Sequence, residues 1–202
     1  MRRFVLRNGG AGCCDPFFIM RRNATLSAVL ETFSSQTEPL VYRDMEKGAV
    51  ISPCAQYRYS LWRFWDQSRM HVLFICLNPS KADGRIDDPT LRRCMSFAQA
   101  WGFGGVTMAN LFAYRATDPK ELRRVPDPIG PQNDLWLKRL AHGAKLIVAA
   151  WGNHGTFMGR SASVASALPT LHCLKYNSGG EPAHPLYLDK RRKPIVYNSM
   201  SS

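Results

Sequence analysis

The chain has 202 residues, 45% of them hydrophobic and 21% charged, which fits one α/β domain with a sizeable core and excludes a disordered chain. Its 27 Lys and Arg outweigh 15 Asp and Glu, for a formal net charge of +12. That balance favours polyanionic partners, nucleic acid before membrane, although a basic surface with no anionic partner stays open.

Residues 1–45 mix Arg2-Arg3, Gly9-Gly10, Cys13-Cys14 and a Ser/Thr-rich stretch without sustained periodicity; only Leu26–Phe33 has the pattern of a short helix. They read as a poorly ordered N-terminal extension. Six of the 27 basic and four of the 15 acidic residues fall there, so residues 46–202, read as a single domain, keep a net charge of +10.

From residue 46 the pattern alternates. Val50-Ile51 and the Tyr57–Trp65 region predict a hairpin, or a strand with a short helix. Val72–Leu77 is a continuous apolar run of strand length, as in a parallel strand covered on both faces, and Pro79 takes the chain out of the sheet. A helix is predicted over Pro89–Trp101. Asp88 can cap it, Pro89 suits its first turn, and Leu91, Cys94, Met95, Ala98 and Trp101 share one face before Gly102. Val106–Leu111 is the next strand, Asn133–His142 a helix, Leu146–Trp151 a third buried strand, Ala162–Leu168 a helix and Leu171–Leu174 a short strand. This alternation predicts a three-layer α/β/α domain around a central, mostly parallel sheet. The run Lys190-Arg191-Arg192-Lys193 reads as a basic C-terminal tail, solvated or touching phosphate.

The six cysteines, Cys13, Cys14, Cys54, Cys76, Cys94 and Cys173, include no Cys-x-x-Cys pair, so no zinc or iron–sulfur site and no cofactor is expected. Cys76 and Cys94 are expected to be buried thiols. The apolar stretch Pro16–Met20 is too short for a secretory signal, and no run reaches the ~18 apolar residues of a membrane span. The expected setting is reducing and cytoplasmic, with no membrane contact.

In open parallel sheets ligands bind beyond the carboxyl ends of the strands. Four polar clusters fall at such places. The first is Asn78-Pro79-Ser80, with Lys81, Asp83 and Asp87-Asp88 after it. The second is Asn110 with Tyr114-Arg115, the third Trp151-Gly152-Asn153-His154-Gly155, and the fourth Ala183–Leu188 behind Gly179-Gly180. Each also has a purely structural reading: Asn-Pro is a common turn, Asn110 could satisfy backbone groups in the core, and His184 could be an exposed loop residue. A Gly-x-Ser-x-Gly elbow, a Walker loop and a dinucleotide fingerprint are all missing from the sequence, which argues against α/β-hydrolase, P-loop and dinucleotide enzymes. Amide, imidazole and carboxylate chemistry is left: positioning water, reading a polar ring and stabilising an anion.

Three of these segments resemble motifs of the uracil-DNA glycosylase superfamily, and they occur in its order. Cys-Leu-Asn-Pro-Ser (76–80) resembles the Gly-Ile-Asn-Pro-Gly loop of the mismatch-specific branch. Asn-Leu-Phe-Ala-Tyr-Arg-Ala-Thr (110–117) resembles the middle strand and the segment after it. His-Pro-Leu-Tyr-Leu (184–188) resembles the His-Pro-Ser-Tyr-Leu motif. More closely, residues 46–190 resemble a family of bacterial and phage proteins catalogued as a domain of unknown function, through Ile-Ser-Pro-Cys (51–54), Leu-Asn-Pro-Ser (77–80), Asp-Asp-Pro-Thr (87–90) and Ala-Trp-Gly (150–152). Cys76 and Ser80 replace both glycines of the first loop and Leu186 replaces a serine, so a modified or bulkier pyrimidine is as good a candidate substrate as uracil.

The resemblance implies a uracil-DNA-glycosylase-like fold and a monomeric enzyme that hydrolyses the N-glycosidic bond of a damaged or modified base in double- or single-stranded DNA, extruding the nucleotide first. Asn78 would hold the attacking water, His184 would stabilise the departing base anion, and Asn110 would read the base edge, with Pro79, Ser80 and Tyr114 around it. Asp83 and Asp88 are reserve general bases. Leu188 would wedge into the base stack, and Lys81, Arg115, Lys175, Arg191 and Arg192 would contact phosphates. Two alternatives stay open: an enzyme acting on free nucleotides or nucleosides, and a module that binds a modified base without cleaving it.

Overall fold

The computed structural model of the chain describes residues 45–80 and 86–198. The expected N-terminal extension lies outside these residues except for Met45, and so do Lys81 and Asp83. Seven strands form one sheet: β1 (Glu46–Ile51), β2 (Arg58–Phe64), β3 (His71–Cys76), β4 (Gly105–Asn110), β5 (Leu146–Ala149), β6 (His172–Cys173) and β7 (Ile195–Val196). Three helices join them: α1 (Pro89–Ala100), α2 (Asn133–Gly143) and α3 (Arg160–Ala167). The spatial order is β1-β2-β4-β3-β5-β6-β7. The four inner strands β4, β3, β5 and β6 run parallel, while β1, β2 and β7 add antiparallel edges.

The centre is β3, and its sequence explains why. Every residue from Val72 to Leu77 is buried, and alternate side chains leave the strand on opposite faces. Val72, Phe74 and Cys76 pack with Leu91, Cys94, Met95, Phe97 and Ala98 of α1. Leu73, Ile75 and Leu77 pack with Leu137, Leu140 and Ala141 of α2 and Val164 of α3. Each fully buried side chain of this kind contributes about 1.5–3 kcal/mol. Covering both faces of β3 is what fixes a layer of helix on each side of the sheet.

The first connections leave β3 and β5 in opposite directions. From β3 the chain passes through α1 to β4 on one side; from β5 it passes through α3 to β6 on the other. A crevice therefore opens between the carboxyl ends of β3 and β5, the switch point where such sheets bind ligands. The start of α1 is fixed beside it. Asp88 caps the helix, its carboxylate accepting from the Leu91 amide at 2.7 Å, and its second oxygen accepts from the Ser80 hydroxyl. Pro89 occupies the first turn as expected. Beyond Ala100, Trp101 stacks on Phe74 and Phe97, and Gly102 ends the helix at a φ of +81°.

Two buried arginines brace the frame. Arg63 of β2, 0% exposed in its side chain, holds Asp87 at 2.6 Å and donates to its neighbour's carbonyl, Trp62 O, at 2.7 Å. Arg160, at the start of α3, donates to Leu111 O at 2.9 Å and pairs with Asp134 of α2. Leu111 O also accepts from Asn133, whose amide reaches Asn110 O at 3.0 Å as well. The carboxyl end of β4 is thereby tied to both α2 and α3.

Removing one partner of a fully buried ion pair costs ~3–5 kcal/mol. Asp87 retains some solvent contact, so Asp87→Ala is expected to cost somewhat less, about 2–3 kcal/mol in urea unfolding. The exposed Arg191–Asp189 pair is the control, since Asp189→Ala should leave stability within error. Equal losses in the two variants would show that the Arg63–Asp87 pair is not a brace.

Candidate functional site

The crevice holds a cavity of about 300 Å³, at the small end of ligand pockets. Each inner strand brings residues to it. Asn78 and Ser80 follow β3, Asn110 ends β4, and Trp151, Gly152 and His154 follow β5. His184 comes from the loop after β6, Arg58 from β2, and Asp88, Thr90 and Leu91 from the start of α1. The three residues singled out in sequence for chemistry, Asn78, Asn110 and His184, thus share one cavity.

Asn78 is half-buried and its amide is oriented. Its Nδ2 donates to Ala116 O at 2.8 Å and to Pro79 O at 3.2 Å. Among the described residues nothing donates to its Oδ1, which is left as an acceptor for water. Asn110 is 2% exposed. Its Oδ1 accepts from Nη2 of Arg58 at 3.4 Å, and that bond sets the amide orientation. Its Nδ2 has no protein acceptor among the described residues. His184 accepts at Nδ1 from the Leu186 amide at 3.4 Å, so the neutral ring carries its proton on Nε2. Burial pushes the His184 pKa below its ordinary 6.5, against the opposing pull of the Asp88 charge. The imidazole is therefore neutral at pH 7 and a hydrogen-bond donor at Nε2.

Arg58 is the functional candidate that sequence reasoning missed. It is 4% exposed, and burial lowers its pKa to about 10, with Asp88 the main opposing influence; it stays charged at neutral pH. The sequence carried no clear signal for it, since an arginine opening a strand reads as solvent-facing; only the burial of nearly the whole strand shows the placement to be costly. His154 belonged to a polar cluster noted in sequence and lines the cavity without an assigned role.

After β5, Trp151 and Gly152 line the cavity and Gly155 packs against the indole. Trp151 donates from Nε1 to Glu181 at 2.5 Å, and Glu181 also accepts from Ser161 at 2.8 Å. Gly152 turns the chain at a φ of +71°. A Cβ on Gly155 would sit 2.2 Å from the Trp151 ring, closer than packed atoms approach, so a side chain there would displace the indole.

Of the remaining described candidates, Ser80 and Asp88 line the cavity and the others do not. Asp88 has both oxygens engaged, by Leu91 N–H and by Ser80, which suits a structural charge better than a free base. Pro79 is buried and its carbonyl serves Ala116 and Asn78. Tyr114 stands edge-on to Tyr57, away from the cavity. Arg115 donates to Ala55 O at 3.0 Å. Leu188 is partly buried against the α1 side of the core, its carbonyl held by Arg93, while its neighbour Tyr187 is 88% exposed. Lys175 and Arg192 are exposed, and Arg191 pairs with Asp189 at 2.7 Å. Among the described residues no group of three or more His, Cys, Asp or Glu is placed to hold a metal, and no helix is long and apolar enough to cross a membrane.

No curated protein and no solved structure matches the chain. Residues 58–186 match the model of a family described as "Protein of unknown function (DUF1643)". That span begins at Arg58 and runs through Asn78, Asn110 and His184, so it holds the principal polar groups of the cavity. With well over half its length matched, the chain belongs to the DUF1643 family.

Proposed function

We infer that the protein hydrolyses the N-glycosidic bond of a modified pyrimidine nucleotide in DNA. The observation that carries this reading is the convergence of Asn78, Asn110 and His184 on one cavity at the sheet's switch point. Asn78 Oδ1, held by its Nδ2 contacts, accepts a hydrogen bond from the attacking water. Positioning of this kind lowers a barrier by up to ~7–11 kcal/mol. As the base–sugar bond breaks, its electron pair moves onto the base, the water oxygen bonds to the sugar carbon, and the proton that the water loses passes through solvent to the departing base. His184 Nε2–H donates to that growing negative charge, and one such donor is worth about 3–4 kcal/mol. The net positive charge of the chain supports a polyanionic substrate.

The engagement of Arg115 with Ala55 O and of Arg191 with Asp189 favours a second reading. Two of the proposed phosphate contacts are occupied within the protein, which suits a free nucleotide or nucleoside as substrate. Hydrolysis of a mononucleotide at a rate matching that of DNA would select this reading.

The purified protein is expected to leave abasic sites in single- or double-stranded DNA carrying modified pyrimidines. Asn78→Ala should slow base release at least ~10²-fold, and His184→Ala by about 10²–10³-fold; base release by Asn78→Ala at the wild-type rate would remove the mechanism. DNA affinity should fall by roughly 10³–10⁵ between 50 and 200 mM salt if 6–10 phosphates are contacted, and a flat response would remove nucleic acid as the ligand. The depressed pKa of His184 fixes a pH sign. Its neutral form persists below pH 6.5, so the acid limb it causes in kcat should lie below that value, followed in parallel by NMR titration of the ring. The same shift contributes stability that is present above pH 6.5 and is lost as pH falls from 6.5 through the folded-state pKa. A ring titrating above 6.5 would contradict both statements.

A further inference from the structure

We propose that Tyr187 and the cations that follow it form a docking surface for an unpaired DNA strand, with the Tyr187 ring stacking on a base beside the one the cavity holds. This rests on the reading of the cavity as a base pocket and names the form of DNA that reaches it.

Tyr187 is 88% exposed, and no other large hydrophobic side chain among the described residues exceeds 63%. Its backbone, by contrast, is held. His184 caps the tight turn Pro185–Tyr187, and the Leu188 amide closes that turn on Pro185 O at 3.1 Å. Arg93 of α1 donates to Leu188 O, and Trp101 Nε1 donates to Arg192 O at 3.1 Å. The ring is thus presented from a fixed support, and a tyrosine has few rotamers to lose on contact. In a turn of three residues per revolution and about 2 Å rise per residue, positions three apart lie on one side, about 6 Å from each other. His184 lines the cavity, so Tyr187 stands one turn beyond it, where a neighbouring nucleotide of the same strand would lie.

The charge beside it suits the same partner. Residues 184–193 carry Lys190, Arg191, Arg192 and Lys193 against Asp189 alone, a net charge of +3 with His184 neutral, and all four cations are exposed. Asp189 pairs with Arg191 at 2.7 Å and also acts on Arg192. One carboxylate cannot neutralise four cations, and Lys190 and Lys193 are in no ion pair among the described residues. Cations flanking an exposed aromatic ring hold a strand by its phosphates and its base faces together. An unpaired strand fits better than a duplex. Stacking needs a bare base face, which paired and stacked bases do not show, and inserting the ring between base pairs would strip water from the phenol hydroxyl. Leu188, the apolar neighbour suited to such a wedge, is packed into the α1 side of the core.

The test is fluorescence anisotropy of a labelled pyrimidine oligonucleotide with the full 202-residue chain, the oligonucleotide single-stranded or annealed to its complement. Tyr187→Ala is expected to weaken single-strand binding about tenfold or more. Tyr187→Phe should stay within about threefold of the wild type, because the ring does the stacking. Duplex affinity should be the same for wild type and Tyr187→Ala. Lys190→Ala and Lys193→Ala should each lower the slope of log affinity against log salt by about 1. Tyr187 is solvent-exposed, so its truncation leaves the fold intact, which an unchanged thermal transition checks. Single-strand affinity unchanged by Tyr187→Ala overturns the inference. So does an equal loss on the duplex, which would make the ring a wedge between base pairs, and so does a wild type that binds no strand. Base release from modified DNA without the Tyr187 loss would keep the hydrolysis and remove this surface; the Tyr187 loss without base release would do the reverse.

Discussion

Burial of β3 on both faces is the constraint from which the site follows. A strand whose side chains alternate between the α1 core and the α2/α3 core accepts neighbours on both edges. Parallel neighbours need crossovers, and crossovers leaving in opposite directions open a crevice where the strands end. The polar residues cannot appear earlier in β3, because the strand has no solvent face to put them on. They appear at its end, where Leu77 is followed by Asn78-Pro79-Ser80, and the cavity sits there for the same reason.

Three buried arginines divide the work of holding this end of the sheet. An ion removed from water costs several kcal/mol even after relaxation, so each needs a compensating arrangement. Arg63 has Asp87, and Arg160 has Asp134 together with Leu111 O. These two stabilise segments that flank the cavity without lining it. Arg58 lines it, and its bond there goes to the neutral amide of Asn110. Arg58 thereby places its guanidinium on the cavity wall, which the other two arginines do not.

The parts of the fold that sequence revealed are those where burial leaves a one-dimensional trace. The apolar run of β3 predicted strand and position, and Asp88-Pro89 marked the start of α1 within a residue. The hairpin β1–β2 was only half legible: β2 is buried almost throughout, so its alternation is lost, and Arg58 and Arg63 look like solvent-facing residues until their burial is seen. β7 left no signal, being two exposed residues beside a basic run; its pairing with β6 is a tertiary contact. In the site, Asn78, Asn110 and His184 stood out because polar groups interrupt apolar segments. Tyr187 and Leu188 could not be told apart in that way. A tight turn of about three residues per revolution sends adjacent side chains in different directions, and here the tyrosine faces solvent while the leucine meets α1.

The two departures in the first loop have a common consequence. Ser80 uses its hydroxyl on Asp88, the cap of α1. Cys76 packs in the same buried cluster as Cys94 of that helix, and burial, with Cys76 as a neighbour, raises the Cys94 thiol pKa. Where glycines would leave this loop adaptable, both replacements attach it to α1 from either side of Asn78. Asn78 is fixed from a third direction by Ala116 O. A water-holding amide gains from such bracing, since catalytic geometry tolerates errors of only about 0.5 Å. The same bracing stiffens this side of the cavity wall, which narrows the shapes the cavity can admit. Under the proposed reading, that stiffness fixes where the water held by Asn78 must lie relative to the sugar carbon it attacks.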